Sequence, residues 1–243
     1  MTRLLELCDA VVARGGVLAV RSASLAVPAG SWFGLIGANG SGKTSLLRAM
    51  AGRLPFESGR LVLKQEDVTA DRARRAALIG FAPEASMLPV ALTGRDLLRL
   101  VAGHFELGFE ALGSLRDVLA IEPLLDRPVG TLSSGMRQRL ALACAFAPGK
   151  DILLLDEPFN WLDPIVAYDL RIALRDRVEA GLTLVTALHD LGTLASACDT
   201  GAVLADGRIS LALDREALAL AARDPAAFER RTIDFLRPRL SPT

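Results

Sequence analysis

The chain has 243 residues, and its 28 basic and 28 acidic side chains give a formal net charge of zero at pH 7. Apolar residues make up 51% of the sequence, which is enough to form one large domain, with or without a subdomain. The neutral charge argues against a protein that mainly binds nucleic acid, because such proteins usually carry a basic excess or a basic stripe.

The cysteine pattern and the apolar stretches indicate the cellular compartment of the protein. Cys8, Cys144 and Cys198 are far apart and form no Cys-x-x-Cys pair, so we expect buried thiols and no disulfide or zinc site. The first residues include acids where a signal peptide needs an apolar run, and no stretch has the roughly 18 apolar residues of a membrane span. We therefore expect a protein of the reducing cytosol that does not itself cross a membrane.

Apolar periodicity predicts strands and helices in alternating order. Strands are predicted at 4–12, 17–27, 31–36, 60–64, 77–82, 152–155, 182–187 and 202–204. Helical spacing is predicted at 43–53, in a block of about 60 residues from 84 to 147, and between the later strands. This alternation implies an α/β fold in which crossover helices connect parallel strands.

The same pattern suggests a division of the chain. We expect residues 1–211 to form the main domain, with the helical block at about 84–147 inserted into it. Residues 212–243 are expected to form a tail of two short helices, broken at Pro225 and ending in Pro238 and Pro242. The arginine pairs at 74–75 and 230–231 are interpreted as solvated faces of helices.

A glycine-rich segment, Gly37-Ala38-Asn39-Gly40-Ser41-Gly42-Lys43-Thr44, follows a predicted strand and begins a predicted helix. In this context Gly-x4-Gly-Lys-Thr predicts a P-loop that binds ATP, because glycines let backbone N–H groups surround the phosphates at a helix N-terminus. Lys43 should reach the β- and γ-phosphates, and the Thr44 hydroxyl should ligate Mg²⁺. The alternative is a glycine turn before an ordinary helix. The other predicted nucleotide contacts are Gly37, Asn39, Gly40, Ser41, Gly42 and Ser45.

A second motif, Ile152-Leu153-Leu154-Leu155-Asp156-Glu157-Pro158, is a predicted buried strand that ends in two acids. Ligand chemistry in α/β sheets is found at the carboxyl ends of strands. Asp156 should hold Mg²⁺ and Glu157 should polarise the attacking water, so the two motifs together predict ATP hydrolysis. The alternative is a pair of acids that cap a helix after a core strand.

Between these motifs lies Leu132-Ser133-Ser134-Gly135-Met136-Arg137-Gln138-Arg139-Leu140. Here the chain resembles the ATP-binding-cassette (ABC) family, whose signature is Leu-Ser-Gly-Gly-Gln before a helix. Ser133 and Gly135 match that signature, whereas Ser134 and Met136 depart from its commonest form. Ser133 can cap the following helix, whose N-terminus is an anion site. The resemblance implies that these four residues meet the γ-phosphate held by a second subunit.

The resemblance covers most of residues 1–210. It implies a P-loop NTPase with a RecA-like parallel sheet, an N-terminal antiparallel β subdomain and an inserted α-helical subdomain. Asp163 falls in the family's D-loop, a dimer-contact segment. His189 stands where the family has a switch histidine, which would touch the γ-phosphate and hold Glu157 and water. A structural role for His189 is the alternative.

Two positions depart from the family pattern. Glu84 stands where the family usually has a glutamine that binds Mg²⁺ and water, so we hypothesise that Glu84 enters the metal shell with an additional negative charge. Arg14 stands where the family usually stacks an aromatic residue on adenine. A guanidinium can stack on a base by cation–π contact, and a solvated turn arginine is the equal alternative.

The resemblance implies an ATP-binding and hydrolysing subunit of a membrane transporter, with ATP and Mg²⁺ as its cofactors. Its partners would be transmembrane subunits and a second, identical or different ATP-binding subunit, at the cytoplasmic face of the membrane. Glu84, Met136 and the segment 162–164 favour exporter systems. The alternatives are an ABC-type ATPase that acts on nucleic acid or ribosomes, and a P-loop kinase of small molecules.

Overall fold

One mixed sheet of ten strands runs through the computed structural model, which describes residues 3–236. The strands are β1 (Arg3–Arg14), β2 (Val17–Pro28), β3 (Trp32–Ile36), β4 (Ser58–Leu63), β5 (Glu66–Asp67), β6 (Ile79–Phe81), β7 (Ile152–Asp156), β8 (Thr183–Leu188), β9 (Thr200–Ala205) and β10 (Arg208–Leu213). Their order across the sheet is β5-β4-β1-β2-β10-β9-β3-β8-β7-β6.

Helices connect and cover these strands. They are α1 (Lys43–Met50), α2 (Arg72–Leu78), α3 (Gly94–Ala102), α4 (Phe105–Ala111), α5 (Leu115–Val118), α6 (Ser134–Phe146), α7 (Pro164–Glu179), α8 (Leu191–Ala197), α9 (Arg215–Arg223) and α10 (Pro225–Leu236). Short 3₁₀ turns lie at 85–87, 122–124 and 129–131. None of the helices within residues 3–236 has both the length and the apolar character needed to cross a bilayer.

The parallel part of the sheet is the centre of the fold. Strands β9, β3, β8, β7 and β6 pair in parallel, and every residue of β3 and β8 is buried. Successive side chains of a strand point to opposite faces, so Leu153 and Leu155 of β7 pack in one apolar core while Ile152 and Leu154 pack in the other. Helix α1 covers the second core and α6 the first. The predicted α/β fold is confirmed.

The antiparallel part of the sheet comes from the N-terminal half of the chain. Strand β1 pairs with β2 and with β4, and β4 pairs with β5. Strand β10, which the sequence reasoning missed, pairs antiparallel with β9 and joins this part of the sheet to the parallel part through β2. The residue at which we divided main domain from tail, 211, lies inside β10.

The C-terminal helices lie against α8. Helix α9 ends at Arg223 and α10 begins at Pro225, so the predicted break at Pro225 is present. Both helices contact α8, and Leu218 and Phe228 belong to the same core as α6. The predicted end of the tail, with Pro238 and Pro242, lies outside the described residues.

The cysteines agree in part with expectation. Cys144 and Cys198 are buried free thiols, whereas Cys8 is exposed. Burial raises the pKa of the Cys144 thiol to about 12, so this sulfur is a protonated, inert part of the core.

One of the four paired arginines is not a solvated residue. Arg74, Arg230 and Arg231 are exposed, but the side chain of Arg75 is completely buried. Its guanidinium donates to the carbonyl oxygens of Leu54, Val68 and Thr69 and lies 4.8 Å above the ring of Phe56. The interpretation of Arg75 as a solvated residue was therefore wrong. A basic side chain can be buried where it donates hydrogen bonds to loop carbonyls that have no strand partner.

We expect Arg75→Met to lower the free energy of unfolding by about 2 kcal/mol, because the substitution removes the guanidinium donor from the part-buried carbonyl oxygens of Leu54 and Thr69. Arg74→Met is the matched control. Arg74 forms an exposed ion pair with Glu66, so its loss should lower the free energy of unfolding much less than the loss of Arg75 does. Urea unfolding followed by circular dichroism measures both variants, and equal losses would contradict the buried role of Arg75.

Candidate nucleotide-binding site

The glycine-rich segment connects β3 to α1 at the carboxyl edge of the parallel strands. Glycine is required at two of its positions because other backbone comes very close. A Cβ at Gly37 would lie 2.3 Å from the carbonyl oxygen of Leu204, and one at Gly42 would lie 2.3 Å from that of Ala19. Gly42 also has a φ of 108°, which side chains rarely permit. The loop therefore keeps its shape only with these glycines.

Lys43 points back into the loop. Its Nζ donates to the carbonyl oxygens of Gly37, at 2.6 Å, and Ala38, at 3.3 Å, and the residue is only 4% exposed. Burial lowers the pKa of this ammonium group, and the carboxylates of Glu157 and Asp156 act in the opposite direction. The positive charge thus lies inside the curve of the loop, facing two acids.

Asp156 is the last residue of β7 and lies beside the start of α1. Burial raises the pKa of Asp156, which means that the charged form is held at a cost. The Thr44 hydroxyl lies close enough to this carboxylate to act against the rise of its pKa. The atom Oδ1 is buried and has no hydrogen-bond partner among residues 3–236, and the same holds for Oγ of Ser41 in the loop. Such groups suit a ligand that brings its own donors or charge.

The carboxylate of Glu157 is fixed from two sides. His189 Nε2 and Asn160 Nδ2 each lie 2.7 Å from Glu157 Oε2, and both can donate to it. The backbone of Glu157 has a φ of 50°, which is uncommon outside glycine, and its N–H donates to the carbonyl oxygen of Ala187 on β8. The structure thus brings together His189 and Glu157, which are 32 positions apart in the sequence.

The signature-like segment begins α6. The Ser133 hydroxyl accepts the N–H of Met136 at 3.3 Å and so caps this helix. A Cβ at Gly135 would lie 2.7 Å from the carbonyl oxygen of Trp161, so the loop after Glu157 packs tightly on the helix start. In that loop, Asp163 caps α7 by accepting the N–H of Val166. Ser133 and Ser134 themselves are exposed.

A cavity of about 440 Å³ joins several of these groups. Its walls include Thr44, Glu84, Ser134, Asp156 and Glu157. Glu84 follows β6 and its carboxylate pairs with Arg48 of α1. The predicted metal ligands Thr44, Asp156 and Glu84 therefore share one cavity with Glu157, the residue predicted to polarise the attacking water.

Other predicted residues lie apart from this cavity. Arg14 is exposed at the end of β1, at the tip of the hairpin with β2. Asn39 and Gly40 are exposed in the loop, and Ser45 is buried in α1. Met136 is half-buried in the first turn of α6. Contact of these residues with a nucleotide stays a prediction.

Three residues of the site were missed in the sequence. Asn160 holds Glu157, Gln138 donates to the carbonyl oxygen of Pro158 at 3.3 Å, and Arg48 pairs with Glu84. Arg48 carried a usable signal, because it lies four positions after Thr44 and so on the same side of a helix. The contacts of Asn160 and Gln138 depend on the conformation of the loop after Glu157, which hydrophobic periodicity in the sequence does not predict.

Comparison with known proteins decides the family. A family model described as ABC transporter matches residues 20–160, more than half of the chain. The chain belongs to the ABC transporter family. The resemblance found in its motifs is therefore confirmed.

Curated relatives of this ABC protein include exporters and importers by name. It is 34% identical over 209 residues to the Nod factor export ATP-binding protein I of Sinorhizobium fredii, covering 84% of this chain and 61% of that protein. It is 35% identical over 224 residues to the hemin import ATP-binding protein HmuV of Bordetella parapertussis, covering 85% of this chain and 84% of that one. The chain thus spans about three fifths of the length of the first relative.

A solved structure described as the ATP binding subunit of an ABC transporter has the same fold. The two superpose with a TM-score of 0.83 at 23% identity, over 96% of this chain and 99% of the other. The P-loop NTPase fold predicted for this ABC protein is thereby confirmed.

We expect Asp156→Asn to make the nucleotide-free protein more stable at pH 7. The raised pKa of Asp156 means that the folded state binds this proton more tightly than the unfolded state, so stability falls as pH rises from the ordinary value of 3.8 through the raised pKa. The amide removes that cost and keeps one oxygen acceptor near the Thr44 hydroxyl.

Unfolding in urea at pH 7 and at pH 4 measures this effect, and the advantage of Asp156→Asn should shrink at the lower pH. Asp151→Asn is the control, since Asp151 is exposed and pairs only with Lys64 in the described part of the chain. A less stable Asp156→Asn protein at pH 7 would contradict the expected cost of the buried charge.

Proposed function

We propose that this chain is the ATP-binding and hydrolysing subunit of a membrane ABC transporter, whose transmembrane subunits are separate chains. One observation carries the proposal. The carboxylate of Glu157, held by His189 and Asn160, lies at the same sheet edge as the glycine loop with Lys43. A fixed acid next to a phosphate loop is the arrangement that hydrolysis of ATP requires.

The loop would bind the phosphates of ATP through its backbone and Lys43. The ammonium of Lys43 now donates to two loop carbonyls, and the β- and γ-phosphate oxygens would replace these acceptors. The N-terminus of α1 adds N–H groups and a positive dipole end. The hydroxyl of Ser41, which has no partner in the described residues, would donate to a phosphate oxygen.

The residues present fit Mg²⁺. Thr44 and Asp156 place a hydroxyl and a buried, unpartnered carboxylate oxygen side by side, and hard oxygen ligands are what this ion prefers. Glu84, in the same cavity, is the third proposed ligand. When bound, the ion would neutralise charge on the β- and γ-phosphate oxygens.

Glu157 would orient the attacking water and accept its proton. Its Oε2 is already engaged by His189 and Asn160, so the carboxylate is held in one orientation before the substrate arrives. His189 is half-exposed at the end of β8, where it would also reach the γ-phosphate. Such fixed polar groups contribute to catalysis because they need little reorganisation.

The exposed start of α6 would complete the site of a second copy or of a related subunit. Ser133, Ser134, Gly135 and Met136 lie at a helix N-terminus, which favours the γ-phosphate. Asp163 would contact the partner from the adjoining loop. ATP bound between two subunits would close the dimer, and hydrolysis would open it.

Binding to transmembrane subunits would place the protein at the cytoplasmic face of the membrane. The direction of transport stays open, because one relative is named for export and another, at similar identity, for import. Two expectations therefore stay predictions. One is transport by export, which Glu84 and Met136 favour, and the other is the stacking of Arg14 on adenine.

The purified protein should release free phosphate from ATP with no phosphorylated acceptor, and Glu157→Gln should bind ATP while phosphate release falls at least about a hundredfold. Glu179→Gln is the control, because Glu179 is an exposed carboxylate at the end of α7. A phosphoryl group recovered on a small molecule would instead indicate a kinase. Co-purification from membranes then identifies the transmembrane partner by mass.

Lys43→Ala and Ser133→Arg should each abolish phosphate release, because one removes the phosphate cation and the other blocks the helix start. If two copies share each site, an equal mixture of the two variants should recover roughly a quarter of the original rate, since half the dimers then contain one intact site. A Lys43→Ala preparation mixed with itself is the control. No recovery would contradict a site shared between copies.

A further inference from the structure

An ion pair links α1 to the segment after β6. The Arg48 guanidinium donates through Nη2 to Oε1 of Glu84, and the two residues are 36 positions apart in the chain. The Arg48 side chain is 19% exposed and that of Glu84 is 48% exposed, so the pair lies at the wall of the cavity with one member largely withdrawn from solvent. Arg48 also lies near enough to Asp156 for its charge to favour the carboxylate form.

The charge balance of the cavity depends on this pair. Its walls present three carboxylates, those of Glu84, Asp156 and Glu157. Among its lining arginines, Arg137 is already committed to the carbonyl oxygen of Leu132, at 2.6 Å. Arg137 keeps its positive charge, but Arg48 is the lining arginine that pairs directly with Glu84, and an unpaired carboxylate there would repel a triphosphate.

We propose that Arg48 is a positioning residue for ATP: it neutralises Glu84 and holds that carboxylate at the cavity wall, so that a glutamate at this position does not repel the terminal phosphate. The inference rests on the proposed function, because it assumes that the cavity takes the γ-phosphate end of ATP. It adds a residue that selects the triphosphate over the diphosphate.

The geometry explains why the pair acts selectively. Arg48 lies one helical turn after Thr44, so its position relative to the loop is set by the backbone of α1. Glu84 is the residue before the 3₁₀ turn at 85–87, and its side chain does not cap that turn. Removing Arg48 would free Glu84 and leave its charge uncompensated, while the glycine loop, which holds the inner phosphates, is unchanged.

A double-mutant cycle tests the proposal. Dissociation constants for ATP and for ADP, each with Mg²⁺, are measured by calorimetry on the full chain with Arg48→Met, Glu84→Gln and the double variant. Arg48→Met should weaken ATP binding about tenfold and ADP binding less than about threefold, because the lost compensation acts on the terminal phosphate. In the double variant ATP affinity should return to within about threefold of that of Glu84→Gln alone, since the repelling charge is gone and the amide oxygen can still serve as a metal ligand.

Two further proteins keep the result interpretable. Arg48→Lys retains the charge and should retain the preference for ATP, even if Arg48→Met proves poorly folded. Arg74→Met with Glu66→Gln removes an exposed ion pair that does not line the cavity and should show no coupling in nucleotide affinity.

The proposal is overturned if Arg48→Met binds ATP as the original protein does. Equal weakening of ATP and ADP without rescue by Glu84→Gln also overturns it, because that pattern marks a structural role in α1. Absence of ATP binding by the unsubstituted protein would be a different result, since it removes the proposed function and the inference with it.

Discussion

The site depends on the hydrogen-bonded register of three parallel strands. Ile36 of β3 lies beside Leu188 of β8, and Asp156 of β7 lies beside Ala187 of the same strand. The three strands therefore end within about one residue of each other, a rise of about 3.3 Å. The glycine loop, the two acids and His189 follow directly from those ends. A slip of register by one residue would turn the side chains of a strand to the opposite core and separate the groups of the proposed site.

The same edge of the sheet holds groups that weaken the fold. Lys43 and Asp156 are withdrawn from water, and burial opposes the charged form of each. The oxygens of Asp156 and Ser41 that lack partners in the described residues add to this cost. Burial of apolar side chains in the two cores on either side of the parallel strands offsets this unfavourable free energy. A site of this kind is most stable when its ligand is present, and nucleotide binding should therefore also stabilise the protein.

Much of this arrangement could be predicted from the sequence because its signals are local. The strand before the glycine loop, the acids after β7 and the helix cap at Ser133 each lie within a few residues of their structural context. The missed parts are different in kind. Strand β10 follows an Asp206-Gly207 turn, and Asp-Gly is a recognisable hairpin signal. The burial of Arg75 and its contacts with Leu54, Val68 and Thr69 depend instead on how distant segments pack. The bond between Glu157 and Asn160 depends on a left-handed backbone that no periodicity reveals.

The loop that packs on Gly135 has a further consequence, for spectroscopy. The chain has two tryptophans. Trp32 is fully buried and its indole N–H donates to Thr186, whereas Trp161 is 74% exposed and stands at the wall of the cavity. Any event that closes this face should change the emission of one indole and leave the other as an internal reference. The protein thus contains its own optical reporter of closure, with no added label.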